Sequence, residues 1–148
     1  MKKFRISRMK KQAGFTLLEM LVVLVIIGLL AGLVGPQLFG QVDEAKVKTT
    51  RTQIKMLKGA LETMRLDIGR FPTAEEGLGL LSAPPAEERI KAMWKGPYMD
   101  ETVPNDPWNV PYQYAVPGGN GRPFALYSMG ADAKRGGEAY DADLGYLP

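Results

Sequence analysis

Neither cysteine nor histidine occurs among these 148 residues. Without cysteine there is no disulfide framework and no thiolate metal site. Without histidine the commonest general base and metal ligand is missing, and every Ser-His or Cys-His nucleophile goes with it. A hydrolase built on paired carboxylates is the enzyme class left open. The length accommodates one modest domain plus a membrane segment, and not two full domains.

Charge is scarce where it would matter for nucleic acid. Of the 19 basic residues, six (Lys2, Lys3, Arg5, Arg8, Lys10 and Lys11) lie in the first 14 positions, and the remaining 13 face 16 acids. The formal +3 is therefore a basic terminus on an acidic body, whereas nucleic-acid binding calls for a basic face on the folded domain. No nucleic-acid partner is expected.

A second absence is longer. From Met20 to Val42 no charged residue occurs, a run of 23. As a helix it would extend about 35 Å, enough to cross a hydrocarbon core of roughly 30 Å. Cations precede it, which predicts a cytoplasmic N-terminus and export of everything after Val42. A cleaved secretory signal is the competing reading; its apolar part is normally about 7–15 residues, and only weak small-x-small sites occur around Ala31–Gly35. One acid, Glu19, stands at the start of this run, where a lone carboxylate is costly unless something pairs with it. Otherwise it must snorkel to the interface or take up a proton.

Helical periodicity continues beyond the run. Val47, Ile54, Leu57, Leu61, Met64 and Ile68 are spaced 7, 3, 4, 3 and 4 apart, an apolar stripe expected to pack on the chain's own globular domain. Lys48, Arg51, Lys55, Lys58, Glu62 and Arg65 occupy the polar side. Gly69 and Pro72 end the pattern. Residues 15–68 thus read as one helix of about 80 Å, with a kink or a meltable stretch expected between Gly32 and Gly40, where Pro36 removes a backbone hydrogen bond. Gly28-x-x-x-Gly32 permits close helix approach.

From Phe71 onward proline and glycine break the chain into short pieces. A short helix is expected near Ala74–Leu81, and strands in "VPYQYAV" and "RPFALYSM" joined by the turn "PGGNG". Trp94, Trp108 and Tyr112 read as core or loop-anchoring aromatics rather than binding platforms, because a small domain needs apolar mass. The end of the chain reads as loop. There Asp132, Glu138, Asp141 and Asp143 fall within 12 residues, close to Gly130, Gly136 and Gly137. Carboxylates with free carbonyls suit calcium, and a solvated acidic loop is the plain alternative. The loop lacks the EF-hand pattern, and its partial GGxGxD match carries Ala139 in place of the last glycine.

"GFTLLE" at 14–19, behind a short basic leader and before a long apolar helix, resembles the processing site of type IV pilin-like precursors. The resemblance implies that a prepilin peptidase cuts between Gly14 and Phe15 and methylates the new amine of Phe15. It also implies that this amine meets Glu19 of a neighbouring subunit during assembly, with Pro36 giving the helix flexibility. "GRFPTAEEGLGLL", "WKGPYMDE", "PNDPWNVPYQY" and "LYSMGADAKRGGEAYDADL" narrow the likeness, because they are similar to the major pseudopilins of the bacterial type II secretion system.

That family implies an α+β, type IV pilin-like fold: a long N-terminal helix, half transmembrane and half amphipathic, packed on a small antiparallel β-sheet with a calcium-stabilised C-terminal loop. The implied organisation is a cleaved cytoplasmic leader (1–14), an assembly helix (15–42) and a periplasmic domain (43–148). The implied function is structural, not enzymatic. Copies form an inner-membrane-anchored homopolymer, the pseudopilus, which helps drive folded proteins through the outer-membrane secretin. Minor pseudopilins and an inner-membrane assembly platform are the further partners.

Calcium would replace the disulfide that closes many type IV pilins, with side chains of Asp132, Asp141 and Asp143 and carbonyls of Met129 and Lys134 as ligands. Glu138 is an alternative to Asp141. Two residues depart from the family pattern. Ala133 and Asn109 stand where glycine is frequent, and a positive φ would strain the alanine more than the asparagine. A type IV pilin or other pilin-like filament subunit is the alternative reading. A membrane-anchored enzyme using the acids of 132–143 would leave the N-terminal motif unexplained.

Overall fold

The computed structural model describes residues 14–148; of the expected leader, only Gly14 falls within them. Helix α1 (Leu17–Ile68) is followed by a 3₁₀ turn (Gly77–Leu81), helix α2 (Glu88–Met93), strands β1 (Gln113–Ala115) and β2 (Ala125–Ser128), a second 3₁₀ turn (Ala139–Asp141) and strand β3 (Leu144–Tyr146). The chain divides into two compact units, one ending at Phe39 and the other running from Gly40 to Pro148. α1 contributes to both.

In the first unit every large apolar side chain from Phe15 to Phe39 is exposed, and the helix is long and apolar enough to cross a membrane. Such a surface needs lipid or partner helices to cover it. The helix is unbroken through Gly32–Gly40 with Pro36 inside it, where the sequence predicts a kink or melted stretch. A proline costs one bond and a local clash, and the flanking turns keep the rest of the ladder.

The second unit is built on the amphipathic end of α1. Ile54, Leu57, Leu61, Met64 and Ile68 are buried and form one cluster with Leu78, Leu81, Ile90, Phe124, Leu126 and Leu144. Each such side chain is worth roughly 1.5–3 kcal/mol of burial. Val47 packs at the edge of this cluster. Thr50 fills the gap in the stripe: it is fully buried, and its hydroxyl donates to the Lys46 carbonyl at 2.9 Å. α1 ends at Gly69, whose φ of +80° and N–H to the Arg65 carbonyl (2.8 Å) make a left-handed cap.

The sheet has the order β1-β2-β3, antiparallel throughout, with Gln113 opposite Tyr127 and Tyr127 opposite Gly145. All four residues of the central strand are buried. Both expected strands are present but shorter than their motifs. β3 lies in the stretch expected to be loop, since "LGY" is too short and too glycine-rich to show alternation. Its Gly145 has φ +128°, and a Cβ there would sit 2.5 Å from the Leu126 carbonyl oxygen, so only glycine lets β3 close on β2. α2 was also not anticipated from the sequence; six residues are too few for a periodic signal.

Aromatic side chains anchor the connecting loops, as expected of Trp94 and Tyr112. Trp94 Nε1 donates to the Leu80 carbonyl (2.9 Å), Tyr98 to Asp67 (2.9 Å) and Tyr114 to the Pro72 carbonyl (2.9 Å). Tyr112 bonds Gln53 on α1. Burial pushes the Tyr112 and Tyr114 phenols up to about 12, so both stay protonated donors.

Candidate assembly and metal sites

At the N-terminal end, Gly14, Phe15 and Glu19 are all exposed. Thr16 caps α1. Its carbonyl accepts from the Met20 N–H (3.2 Å), and its hydroxyl accepts from the Glu19 N–H (3.2 Å). Thr-x-x-Glu is the capping-box pattern, a local role for this stretch legible in "TLLE". Among the described residues the Glu19 carboxylate has no hydrogen-bond partner, so its oxygens remain available at the helix start. Pro36 lies on the same exposed helix.

At the C-terminal end, the loop between β2 and β3 is closed by its own backbone. The Ala131 N–H donates to the Tyr140 carbonyl (3.0 Å), the Asp141 N–H to that of Glu138 (3.0 Å) and the Asp143 N–H to that of Gly136 (3.2 Å). Two of the predicted ligands take part through one oxygen each. Asp132 Oδ1 accepts from the Lys134 N–H (3.0 Å), and Asp143 Oδ2 accepts from the Gly136 N–H (2.9 Å). Asp143 Oδ1 is buried without a partner, an arrangement that a carboxylate tolerates poorly. Asp132, Lys134, Glu138 and Asp141 are exposed and Met129 is half-buried. No three acidic side chains among the described residues gather as a metal cluster. The five predicted ligands therefore share one loop, with two carboxylates already ordered and one oxygen unsatisfied.

Backbone strain is concentrated here. Ala133 (φ +55°) and Ala139 (φ +54°) are both left-handed, at about 1–2 kcal/mol each for a residue with a Cβ. Asn109 takes the same conformation (φ +65°) at less cost. At Gly130 (φ +70°) a Cβ would lie 2.8 Å from the Asp141 and Ala142 carbonyl oxygens, which fixes glycine where the loop leaves the sheet.

One supporting residue was missed in the sequence. Asp106 is buried and accepts from the Trp108 N–H (3.1 Å), the Val110 N–H (2.8 Å) and the Ser128 hydroxyl. Ser128 in turn accepts from the Gly130 N–H (3.2 Å). The Asp-Pro turn is thereby tied to the last residue of β2 and to the root of the acidic loop. The turn signal in "NDPWN" marked the place, but not the burial of its acid.

Comparison with known proteins follows this geometry. The family model described as type II secretion system, protein G, matches residues 37–146, and that of the prokaryotic N-terminal methylation motif matches residues 9–35. The chain is 43% identical over 136 residues to type II secretion system core protein G of Pseudomonas aeruginosa, covering 92% of this chain and 95% of that one. It is 40% identical over 139 residues to the protein of the same name from Vibrio cholerae, covering 94% of each. Its fold is similar to the crystal structure of the major pseudopilin from the type 2 secretion system of enterohaemorrhagic Escherichia coli. The TM-score is 0.55 at 29% identity, over 74% of this chain and 93% of that one.

Proposed function

Because this chain belongs to the protein G family of the type II secretion system, we propose that it is the major pseudopilus subunit of such a system. Its work is structural, and we assign it no catalytic activity. Copies polymerise through the N-terminal helix into a filament that helps drive folded proteins through the outer-membrane secretin. A leader ending at Gly14 is removed by a prepilin peptidase, and Phe15 carries the methylated amine; the methylation motif at 9–35 supports this route. The helix anchors in the inner membrane with the domain after Val42 in the periplasm, where minor pseudopilins and the assembly platform meet it. The alternative of a type IV pilin fits less well, since its loop is usually closed by a disulfide and this chain has no cysteine.

The observation that carries the reading is the exposed apolar stretch from Phe15 to Phe39, nearly all of it in α1, with a single carboxylate at its start. Two charges that are each unfavourable alone in an apolar setting, the Phe15 amine of one copy and Glu19 of the next, become tolerable as a pair. Pairing therefore selects one axial offset between helices. The test is mass spectrometry of the N-terminus from native membranes, combined with filament yield of Glu19→Ala. Methylated Phe15 and a processed but non-assembling variant are expected. Cleavage near Gly35, or normal filaments from the variant, would refute the reading.

We further propose calcium as the ion of the 130–143 loop, held by Asp132, Asp141 and Asp143 with the carbonyls of Met129 and Lys134. Support comes from the unsatisfied, buried Asp143 Oδ1 and from an all-oxygen donor set, which suits a hard cation needing about six to eight ligands. Because the acids do not cluster three at a point, carbonyls carry much of the coordination. The ion would supply the loop closure that a disulfide gives elsewhere.

A further inference from the structure

The second unit carries two clefts of opposite charge on opposite flanks of α1. The first, about 290 Å³, is lined by Lys58, Glu62, Arg65, Phe71, Arg122 and Tyr146. Its cations are held against aromatic faces. Lys58 Nζ lies 5.5 Å and Arg122 Cζ 5.4 Å from the Tyr146 ring centre, and Arg65 Cζ lies 4.9 Å from that of Phe71. One acid, Glu62, pairs with Lys58 at 3.3 Å, which leaves two cations in excess.

The second cleft is lined by Met56, Thr63, Met99, Asp100 and Glu101, among others. Asp100 and Glu101 are exposed and form no ion pair among the described residues. They sit on a fixed platform: the Tyr98 N–H donates to the Leu81 carbonyl (2.8 Å), and the Ser82 hydroxyl to that of Glu101 (3.3 Å). Met56 is 62% exposed, so the acids border an uncovered apolar surface.

The helix sets the geometry. Positions 58, 62 and 65 belong to one cleft and 56, 60 and 63 to the other, an offset of two residues, or about 200° around the axis. The buried stripe of Leu57, Leu61 and Met64 runs between them.

We propose that these clefts are the two halves of one contact between copies of this chain, the cation-aromatic cleft of one domain receiving the Asp100-Glu101 loop of the next. The partner is a second copy because the complementary charge stands on the same domain, on the side facing away. Such a contact is heterologous: each copy that fills one cleft leaves its other cleft open, so the contact propagates head to tail, into a helical array where the N-terminal helices pack as a filament, and does not close as a dimer. This rests on the filament reading and adds to it a lateral register between domains beside the helix packing. Methionines suit this interface, because they adapt to an imperfect fit.

The absence of cysteine allows a clean test. Thr102→Cys and Pro123→Cys, exposed positions that line the two clefts and leave their charges in place, are combined in the full-length chain, and assembled filaments are oxidised mildly. A ladder of dimers, trimers and longer species is expected from the double variant, and neither single variant should pass beyond a dimer. Wild-type filaments that form while the double variant assembles without a ladder would overturn the contact and leave the filament reading intact. Absence of any filament from the wild-type chain would instead overturn that reading. A ladder that stops at dimers, or a cross-link to a protein of different mass, would also refute the head-to-tail contact. Separately, Arg122→Glu should lose filaments, and Glu101→Lys in the same chain should restore them. Failure of that restoration, in a domain that melts at the wild-type temperature, would refute the charge pairing.

Discussion

Glu76 is where pH should act most visibly on the folded domain. Its carboxylate receives Arg70 in a two-point grip, Nη1 to Oε2 at 2.6 Å and Nη2 to Oε1 at 2.8 Å, and also accepts from the Thr73 N–H at 2.8 Å. This grip folds the turn that delivers Leu78, Leu80 and Leu81 into the core. The Arg70 hydrogen bond is the largest cause that lowers the Glu76 pKa from 4.5 to about 2. At about 1.4 kcal/mol per pKa unit the ceiling on its contribution is about 3.4 kcal/mol. The two side chains are 33% and 23% exposed, and solvent screening reduces the figure to about 1–2 kcal/mol. The folded pKa lies below the unfolded one, so the stabilisation is whole above pH 4.5 and drains away as pH falls toward 2. Glu76→Gln should therefore cost about 1–2 kcal/mol at pH 7, with roughly half of that gap closed by pH 3. Urea unfolding of the Gly40–Pro148 unit at pH 7, 4.5 and 3 measures it. A gap of constant size across this range would show that the ion pair contributes nothing through its charge.

Asp143→Ala should abolish the rise in melting temperature that calcium gives the wild-type domain over chelator; a wild-type domain indifferent to chelation would refute the metal proposal. Asp106→Ala strips the Ser128 hydroxyl and two backbone N–H groups of their acceptor and should cost about 3–5 kcal/mol, read by denaturant unfolding; a loss under about 1 kcal/mol would mean that water replaces the carboxylate. Ala133→Gly relieves a left-handed alanine and should gain about 0.5–1 kcal/mol after glycine's entropy is deducted, and a loss of stability would sink the strain argument. Gly14→Ile should accumulate unprocessed precursor on an immunoblot, whereas normal processing would show that the peptidase does not gauge this side chain.

Long-range periodicity made the fold legible where it existed. The stripe from Val47 to Ile68 is a statement about one face of a helix, and five of its six predicted residues lie in the core. The N-terminal methylation motif was equally legible, because it lies in adjacent residues. What the sequence hid was contact between distant segments. Asp106 looks like an ordinary turn residue until Ser128 arrives beside it, 22 positions away. Thr50 looks polar until its hydroxyl folds back on its own helix. β3 has three residues and is recognisable only through its pairing with β2. The acidic loop lies between these cases: its carboxylates are visible in the sequence, but how they are arranged depends on the backbone, which orders Asp132 and Asp143 through one oxygen each.

The two outer strands acquire a meaning from the duty to polymerise. β1 and β3 each have three residues, and prolines stand beside them at Pro111, Pro117 and Pro148. Open sheet edges are templates for amyloid-like stacking, and edges this short, interrupted by residues that lack an N–H, make poor ones. A chain kept crowded against copies of itself thus has its irreversible route to a fibre blunted. The helix and cleft contacts proposed for the filament make no use of those edges.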